Sequence, residues 1–94
     1  MSAPEILADE VIDAALVASP WRREGATLHL TRSLGSFAAA LGFVVSVGVL
    51  AEGADHHPDI DVRYSTVSLA LSTHEVDGLT QRDLDLAAKI AALP

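Results

Sequence analysis

Three of the four histidines fall in two short segments that could supply acid–base chemistry. His56 and His57 are adjacent, and His74 follows a stretch that has the alternation of a β-hairpin. An imidazole, with an ordinary pKa of about 6.5, can donate or accept a proton near neutral pH. If the chain turns near Ser65, antiparallel pairing places His56 opposite His74, with cross-strand neighbours about 5 Å apart. We therefore predict a proton-transfer site at one end of a sheet.

Four carboxylates lie close to these histidines in the sequence and could orient the imidazoles or hold them protonated. They are Glu52, Asp55, Glu75 and Asp77. One alternative is that the histidines are unrelated surface residues on two loops, which their convergence disfavours. Zinc is a second alternative, because it binds histidine and carboxylate side chains. Adjacent residues of an extended segment point in opposite directions, so His56 and His57 would rarely bind one ion together.

The other polar candidates favour structural explanations. His29 lies between two leucines on a strand, so its side chain should point away from theirs and towards solvent. Trp21 follows a proline at a strand start, where its ring should pack over the core edge with its N–H free, or line a pocket. Three arginines are more typical of solvated strand charges than of anion ligands, and no glycine-rich phosphate loop is present. They are Arg22, Arg23 and Arg63.

Length and composition indicate one globular domain over residues 1–94. A chain of 94 residues is long enough for one core and too short for two. Half of its residues are hydrophobic, which is more than a disordered chain carries. The net charge of −7 would repel nucleic acid phosphates, so direct nucleic acid binding is not expected. No cysteine is present, which excludes a disulfide framework, a thiolate metal site and a cysteine nucleophile.

The acidic start of the chain and one apolar stretch bear on location. Carboxylates occupy the place where a signal peptide would carry basic and then apolar residues, so we expect a cytoplasmic protein. Residues 34–51 carry no charge, and their length is at the lower limit for a membrane span. A helix that is apolar all round is either a span or a core element. The glycines and serines within it favour a buried helix with no membrane partner, and such a helix needs cover on two sides.

The first half of the chain has the pattern of a helix, a hairpin and a second helix. Ser2 and Pro4 suit the start of the first helix, whose apolar spacing continues to Ser19. Residues 21–24 and 27–31 are short extended candidates on either side of Gly25, the second of them alternating, and together they predict a hairpin. The apolar run then forms the body of the second helix, with Ser33 or Ser36 as its N-cap and Gly53 at its end.

The second half repeats the strand–strand–helix order. Residues 61–64 and 66–73 predict another antiparallel hairpin, and the second of these strands alternates clearly. Thr80 suits the N-cap of the last helix, and Asp83 stands at the capping-box position. The order α-β-β-α-β-β-α predicts an α+β fold with helices packed on one face of an antiparallel sheet.

One continuous motif gives these residues a family resemblance. It begins with Glu52-x-x-x-His56-His57-Pro58 and continues through residues 59–64, then Leu71-Ser72-Thr73-His74-Glu75, Gly78-Leu79-Thr80 and Asp83. This motif, which spans residues 52–83 or about a third of the chain, closely resembles the pterin-4a-carbinolamine dehydratases. The resemblance extends less sharply upstream. Departures are peripheral, with aliphatic residues at Leu28, Leu30 and Leu34 where relatives often carry aromatics, and Val76-Asp77 in a loop that often has smaller residues.

The resemblance implies a fold, an assembly and a reaction. The fold is a four-stranded antiparallel sheet with helices on one face, and the assembly is a homodimer or homotetramer whose contacts would supply the second cover for the apolar helix. The reaction is dehydration of a 4a-hydroxytetrahydropterin, a small-molecule substrate, with no metal or organic cofactor. A non-catalytic partner-binding or assembly protein on the same fold is the alternative, because fold alone does not decide function.

The resemblance also implies roles for individual residues. The expected catalytic residues are His56, His57, His74 and Asp83. Among them, His56 and His74 would transfer protons, and His57 would chiefly hold the pterin. Asp83 and Glu52 would orient the imidazoles. The expected substrate-binding residues are Glu52, Asp55, Ser72, Thr73 and Glu75.

Overall fold

Four antiparallel strands form one sheet with a buried apolar face. The structure, a computed structural model, describes residues 3–94. The strands are β1 (Arg22–Glu24), β2 (Thr27–Ser33), β3 (Asp59–Arg63) and β4 (Thr66–Leu71), in the sheet order β1-β2-β4-β3. Leu28 stands opposite Leu71 across the central pair of strands, and both side chains are fully buried. The alternation that predicted the strands therefore also sets which face meets the helices.

Three helices complete the predicted order α-β-β-α-β-β-α. They are α1 (Asp9–Leu16), α2 (Phe37–Ala54) and α3 (Gln81–Ala91). The sequence-based fold class, α+β with a four-stranded antiparallel sheet, is confirmed. The helix α2 contacts β3, β4 and α3. This packing brings the C-terminal end of α2 and the N-terminal end of α3 to the region where β3 begins and β4 ends.

The first helix begins later than its apolar spacing predicts. The proposed capping residue Ser2 lies outside the described residues, and Pro4 is five residues before the first residue of α1. Leu7 is not helical, because its backbone N–H donates to the carbonyl of Leu79 at 2.9 Å. The predicted start was therefore wrong, since a long-range backbone hydrogen bond holds this segment across the chain.

Several other boundaries differ from the sequence-based ones by one or two residues. The helix α2 ends at Ala54 rather than at Gly53, and Asp55 takes the left-handed C-cap conformation with φ of 50°. Aspartate is among the few non-glycine residues that adopt this conformation readily. The strand β3 starts at Asp59, earlier than predicted, and β4 ends at Leu71, earlier than predicted. The chain after β4 leaves the ladder because Thr73 pairs with Gly78 instead.

The apolar helix α2 is covered on one side only in a single chain. Ser36 caps it by accepting a hydrogen bond from the backbone N–H of Ala39 at 3.0 Å. The covered side presents Ala40, Phe43, Val47 and Ala51, and the exposed side presents Phe37, Leu41, Val45 and Val49. By length and composition α2 could cross a membrane, with a mean hydropathy of 1.9 and 22% of it buried. A single chain therefore buries α2 on only one of the two sides that the sequence analysis expected to be covered.

The helix α3 is fixed at its start by a capping box and along its length by the core. The Thr80 side chain accepts backbone hydrogen bonds of the first turn, and the Asp83 side chain accepts the backbone N–H of Thr80. Leu86 and Ile90 are fully buried beneath the sheet. Trp21 is only 3% exposed, and its indole N–H donates to the carbonyl of Ala87 at 2.9 Å. The prediction that the indole N–H would be free was therefore wrong. A buried donor without a partner is costly, so the buried indole pairs with a carbonyl.

Candidate active site

The second hairpin brings the two histidine segments to one end of the sheet. Asp59 stands opposite Ala70 in the register of β3 and β4. Extending this register beyond the start of β3 places His56 beside Thr73, which is the residue before His74. A cavity of about 290 Å³ opens there and is lined by Asp55, His56, His57, Ser72, Thr73, His74, Glu75 and Arg82. The three histidines that the sequence analysis predicted to converge therefore share one cavity.

His56 forms the tightest contact of the site, with Asp83. Its Nε2 lies 2.6 Å from Oδ1 of Asp83, and the two side chains are 10% and 0% exposed. An ionised carboxylate can only accept hydrogen bonds, so Nε2 carries the hydrogen and donates it. Nδ1 is then the nitrogen that remains for a substrate. A carboxylate that holds a histidine in one tautomer is a recurrent feature of acid–base sites.

Asp83 reaches His56 because it belongs to the capping box of α3. Its second oxygen, Oδ2, accepts the Thr80 backbone N–H at 2.9 Å and the Thr73 hydroxyl at 2.7 Å. These contacts leave Oδ1 directed at the imidazole. Three hydrogen bonds offset the cost of burying a carboxylate. Thr73, expected at the substrate, is 2% exposed and its hydroxyl contacts Asp83.

His57 points to a different partner from that of His56. Its Nε2 lies 2.9 Å from Oε1 of Glu52, which is on the last turn of α2. Both side chains are exposed, at 60% and 80%, so this contact is solvated and weak in energy. Glu52 therefore touches His57 rather than His56, and it stands outside the residues that line the cavity.

His74 occupies a short loop that its own backbone closes. Thr73 N–H donates to the Gly78 carbonyl at 3.0 Å, and Asp77 N–H donates to the His74 carbonyl at 3.3 Å. Asp77 adopts a left-handed φ of 50°, which lets the loop turn tightly. The His74 side chain is exposed, and within residues 3–94 its ring makes no hydrogen bond.

The remaining expected residues divide between the cavity and its surroundings. Asp55, Ser72 and Glu75 also line the cavity, whereas Asp77 lines a separate cavity beside α1. In the described part of the chain, no three or more histidine and carboxylate side chains are grouped so that they could hold a metal ion. His29 lies on the open face of the sheet, with Nε2 3.3 Å from Oε2 of Glu24, as expected for a residue outside the site.

A comparison with known families matches nearly the whole chain. The sequence profile described as Pterin 4 alpha carbinolamine dehydratase covers residues 5–93. The chain belongs to this family. The resemblance that the histidine motif suggested is therefore confirmed.

Individual members of the dehydratase family are similar to this chain over most of their length. A protein from Nocardia farcinica, provisionally named pterin-4-alpha-carbinolamine dehydratase, is 49% identical over 90 residues, covering 95% of both chains. One from Roseiflexus sp. (strain RS-1), provisionally given the same name, is 53% identical over 70 residues, covering 74% of this chain and 75% of its own. The chain thus spans most of the length of these relatives.

Solved structures of similar proteins carry the same fold. The crystal structure of a transcriptional coactivator/pterin dehydratase from Brucella melitensis matches with a TM-score of 0.88 and 28% identity, over 94% of this chain and 97% of that chain. A pterin dehydratase-like protein described as a RuBisCO assembly factor in the alpha-carboxysome matches with a TM-score of 0.63 and 20% identity, over 77% and 83%. The latter likeness shows the fold alone.

One cavity residue of this dehydratase-family chain was missed by the sequence analysis. Arg82 lines the cavity, and its Nη1 lies 3.3 Å from Oε1 of Glu75. The sequence did indicate that Arg82 lies near the site, because it immediately precedes Asp83 in the capping turn of α3. Its role depends on how the loop after β4 packs against that turn, which spacing alone does not reveal.

Proposed function

We propose that the protein dehydrates a 4a-hydroxytetrahydropterin to the quinonoid dihydropterin, as a step of tetrahydropterin recycling. The observation that carries this proposal is the pair of His56 with the buried Asp83, facing a cavity that His74 also lines. Asp83 fixes the tautomer of the His56 imidazole. The His74 imidazole, which lines the same cavity, makes no hydrogen bond within residues 3–94. Family membership supports the same reaction.

The reaction needs one acid and one base, and these histidines can supply both. The bond between carbon 4a and its hydroxyl oxygen breaks, and the oxygen leaves as water after it receives a proton. A base removes a proton from a ring nitrogen, and that electron pair becomes part of the new carbon–nitrogen double bond. Acid–base assistance typically contributes about 10² to 10⁴ in rate. We assign the two proton transfers to His56 and His74.

The other cavity residues are suited to holding the pterin. Its pyrimidine edge presents N–H donors, for which the carboxylates of Asp55 and Glu75 are acceptors. Ser72 can supply a further hydrogen bond at the cavity wall. We assign to His57, whose Nε2 lies 2.9 Å from Oε1 of Glu52, the holding of the ring rather than proton transfer.

The test is to add the purified protein to a phenylalanine hydroxylase reaction and follow the decay of the 4a-hydroxy intermediate. We expect faster decay, in proportion to the protein added, without added metal. No acceleration would contradict the proposed reaction. Activity that a chelator removes and zinc restores would contradict the metal-free mechanism.

Variants distinguish the roles of the histidines. His57→Ala should mainly raise KM, since it removes binding that ground state and transition state share. His29→Ala is the matched control outside the cavity and should leave turnover unchanged. A large loss of kcat in His57→Ala with KM unaltered would contradict the assignment of His57 to substrate holding.

We propose in addition that the chain assembles as a homodimer or homotetramer. The support is the uncovered side of α2, where four large apolar side chains recur at helical spacing: Phe37, Leu41, Val45 and Val49. A continuous exposed apolar stripe of this kind is typical of a protein interface. Burying it against another copy would give α2 the second cover that its composition requires.

Light scattering at micromolar concentration tests this assembly. A mass of two or four times 9.8 kDa is expected, and a mass of 9.8 kDa would contradict the proposal. Val45→Glu should lower the mass, because it places a charge in the stripe. Val17→Glu is the matched control, since Val17 is also highly exposed but lies at the end of α1.

The second candidate function is partner binding without catalysis. The same exposed side of α2 favours it, because that surface could equally receive a different protein. His56→Ala separates the two candidates, since it should lower kcat for dehydration by about tenfold or more and leave binding through α2 unaffected. A wild-type protein that fails to accelerate the dehydration would favour this second candidate.

A further inference from the structure

Two buried hydroxyl groups stand behind the carboxylate that contacts His56. Thr73 and Thr80 are 2% and 1% exposed, and their Oγ1 atoms lie 2.8 Å apart. Thr80 already has a structural role as the N-cap of α3. The Thr73 hydroxyl has no part in that cap, yet it reaches Oδ2 of Asp83 at 2.7 Å. A buried hydroxyl that takes no part in a helix cap or in strand pairing calls for a separate explanation.

The directions of these hydrogen bonds follow from the donors and acceptors present. A carboxylate only accepts, so the single hydroxyl proton of Thr73 points to Asp83. The contact between the two threonines must then use the proton of Thr80. Thr80 is free to give it, because its oxygen serves as acceptor for the Arg82 backbone N–H at 3.3 Å. Thr80 therefore donates a hydrogen bond to Thr73, and Thr73 donates one to Oδ2 of Asp83. The other oxygen of Asp83, Oδ1, accepts the hydrogen bond from His56.

Thr73 also connects the two histidines to which we assign proton transfer. It immediately precedes His74, and its backbone closes the His74 loop through Gly78. Its side chain meanwhile holds the oxygen partner of His56. One residue thus ties the loop of His74 to the orientation of His56. General acid–base catalysis is sensitive to such placement, because a proton moves efficiently only within hydrogen-bond reach.

We propose that the Thr73 hydroxyl is a positioning group of the active site. With Thr80 behind it, this hydroxyl fixes the rotation of the Asp83 carboxylate and so the orientation of His56, while the backbone of the same residue closes the His74 loop. The inference rests on the proposed dehydratase reaction for its kinetic consequence. Its structural part concerns hydrogen bonds within the free protein and is tested separately.

Two variants of Thr73 distinguish positioning from packing. Thr73→Val keeps the shape and removes the hydroxyl, whereas Thr73→Ser keeps the hydroxyl and removes a methyl group. If the hydroxyl positions Asp83, kcat should fall about tenfold in Thr73→Val with little change in KM, and Thr73→Ser should stay within about threefold of wild type. If the side chain only fills space, the order reverses and Val is the better substitute. That reversed order would overturn the proposal.

Nuclear magnetic resonance on the free protein supplies a test that does not depend on turnover. In wild type we expect a slowly exchanging Thr73 hydroxyl proton and a slowly exchanging Nε2 proton on His56. The His56 resonance should shift or broaden in Thr73→Val and be restored in Thr73→Ser. A wild-type His56 that carries its proton on Nδ1, or a Thr73 hydroxyl in fast exchange with water, overturns the inference even if Thr73→Val does not fold.

The two measurements fail in distinguishable ways. If wild type does not accelerate the dehydration, the proposed function fails, while the resonance experiment still decides the hydrogen-bond arrangement. If wild type is active and Thr73→Val is folded with a normal kcat and an unshifted His56 resonance, the positioning role fails and the proposed function stands.

Discussion

Replacing Asp83 with asparagine should separate the cap of α3 from proton transfer at His56. The Thr80 backbone N–H and the Thr73 hydroxyl both need an acceptor where Oδ2 now lies. The amide oxygen of the asparagine can serve both, which leaves its NH2 group facing His56. Two donors cannot face each other, so Nε2 must become an acceptor. The ring proton then moves to Nδ1, the nitrogen available to the substrate.

The expected magnitudes for Asp83→Asn differ sharply between activity and stability. A neutral His56 with its proton on Nδ1 cannot accept one from the substrate there, so kcat should fall at least about 100-fold. The helix cap survives in altered form, so the free energy of unfolding should fall by about 1 kcal/mol. For a domain of this size that corresponds to roughly 4–8 °C in Tm. Asp83→Ala, which removes every acceptor, should cost about 2–4 kcal/mol.

The assay pairs the decay of the 4a-hydroxy intermediate with thermal unfolding followed by circular dichroism. Asp83→Asn and Asp83→Ala should be similarly inactive and clearly different in Tm. An asparagine variant with normal kcat would refute the tautomer argument. An asparagine variant as unstable as the alanine variant would refute the claim that an amide can still cap α3.

Three further perturbations test separate contacts. His56→Ala and His74→Ala should each lower kcat by about tenfold or more. The loss of kcat in the double variant should be smaller than the product of the two single losses, because groups that act as a unit are non-additive. A folded double variant with near-normal turnover would contradict the assignment. Gly78→Ala should cost no more than about 1 kcal/mol, because its new methyl would lie 3.0 Å from carbons of the Ile6 side chain, which is 55% exposed and can turn away, and adding Ile6→Ala should recover this cost in the urea midpoint. Trp21→Phe should cost about 1–3 kcal/mol in the same titration through lost volume and the lost hydrogen bond to α3, and an unchanged midpoint would contradict the role of the indole N–H.

Local patterns were sufficient to predict the elements that carry the site. The capping box of Thr80 and Asp83 is a short-range signal, and alternation along β4 identifies the strand and its buried face. The turn between β3 and β4 then brings His56 towards His74 by pairing alone. These features depend on neighbours within a few residues, or on one hairpin, so spacing is enough to recognise them.

Other features of the site depend on contacts between distant segments. Spacing does not reveal that the capping carboxylate Asp83 reaches His56, because this requires α3 to pack under the end of the sheet. The same holds for the Thr73 hydroxyl, which looked like a substrate contact. The start of α1 was mispredicted for a related reason, since the backbone of Leu7 pairs with that of Leu79 far along the chain.

Asp83 both caps α3 and contacts His56, and these two roles affect how related sequences could lose the catalytic activity during evolution. His57 and His74 are exposed and make no contact on which the core depends, so either could be exchanged at little cost in stability. Asp83 is completely buried and holds the first turn of α3, so the fold itself would resist its replacement. A descendant that had abandoned proton transfer would therefore be expected to keep the aspartate and lose histidines. In sequences built on this plan, the buried aspartate indicates the architecture and the histidines indicate the reaction.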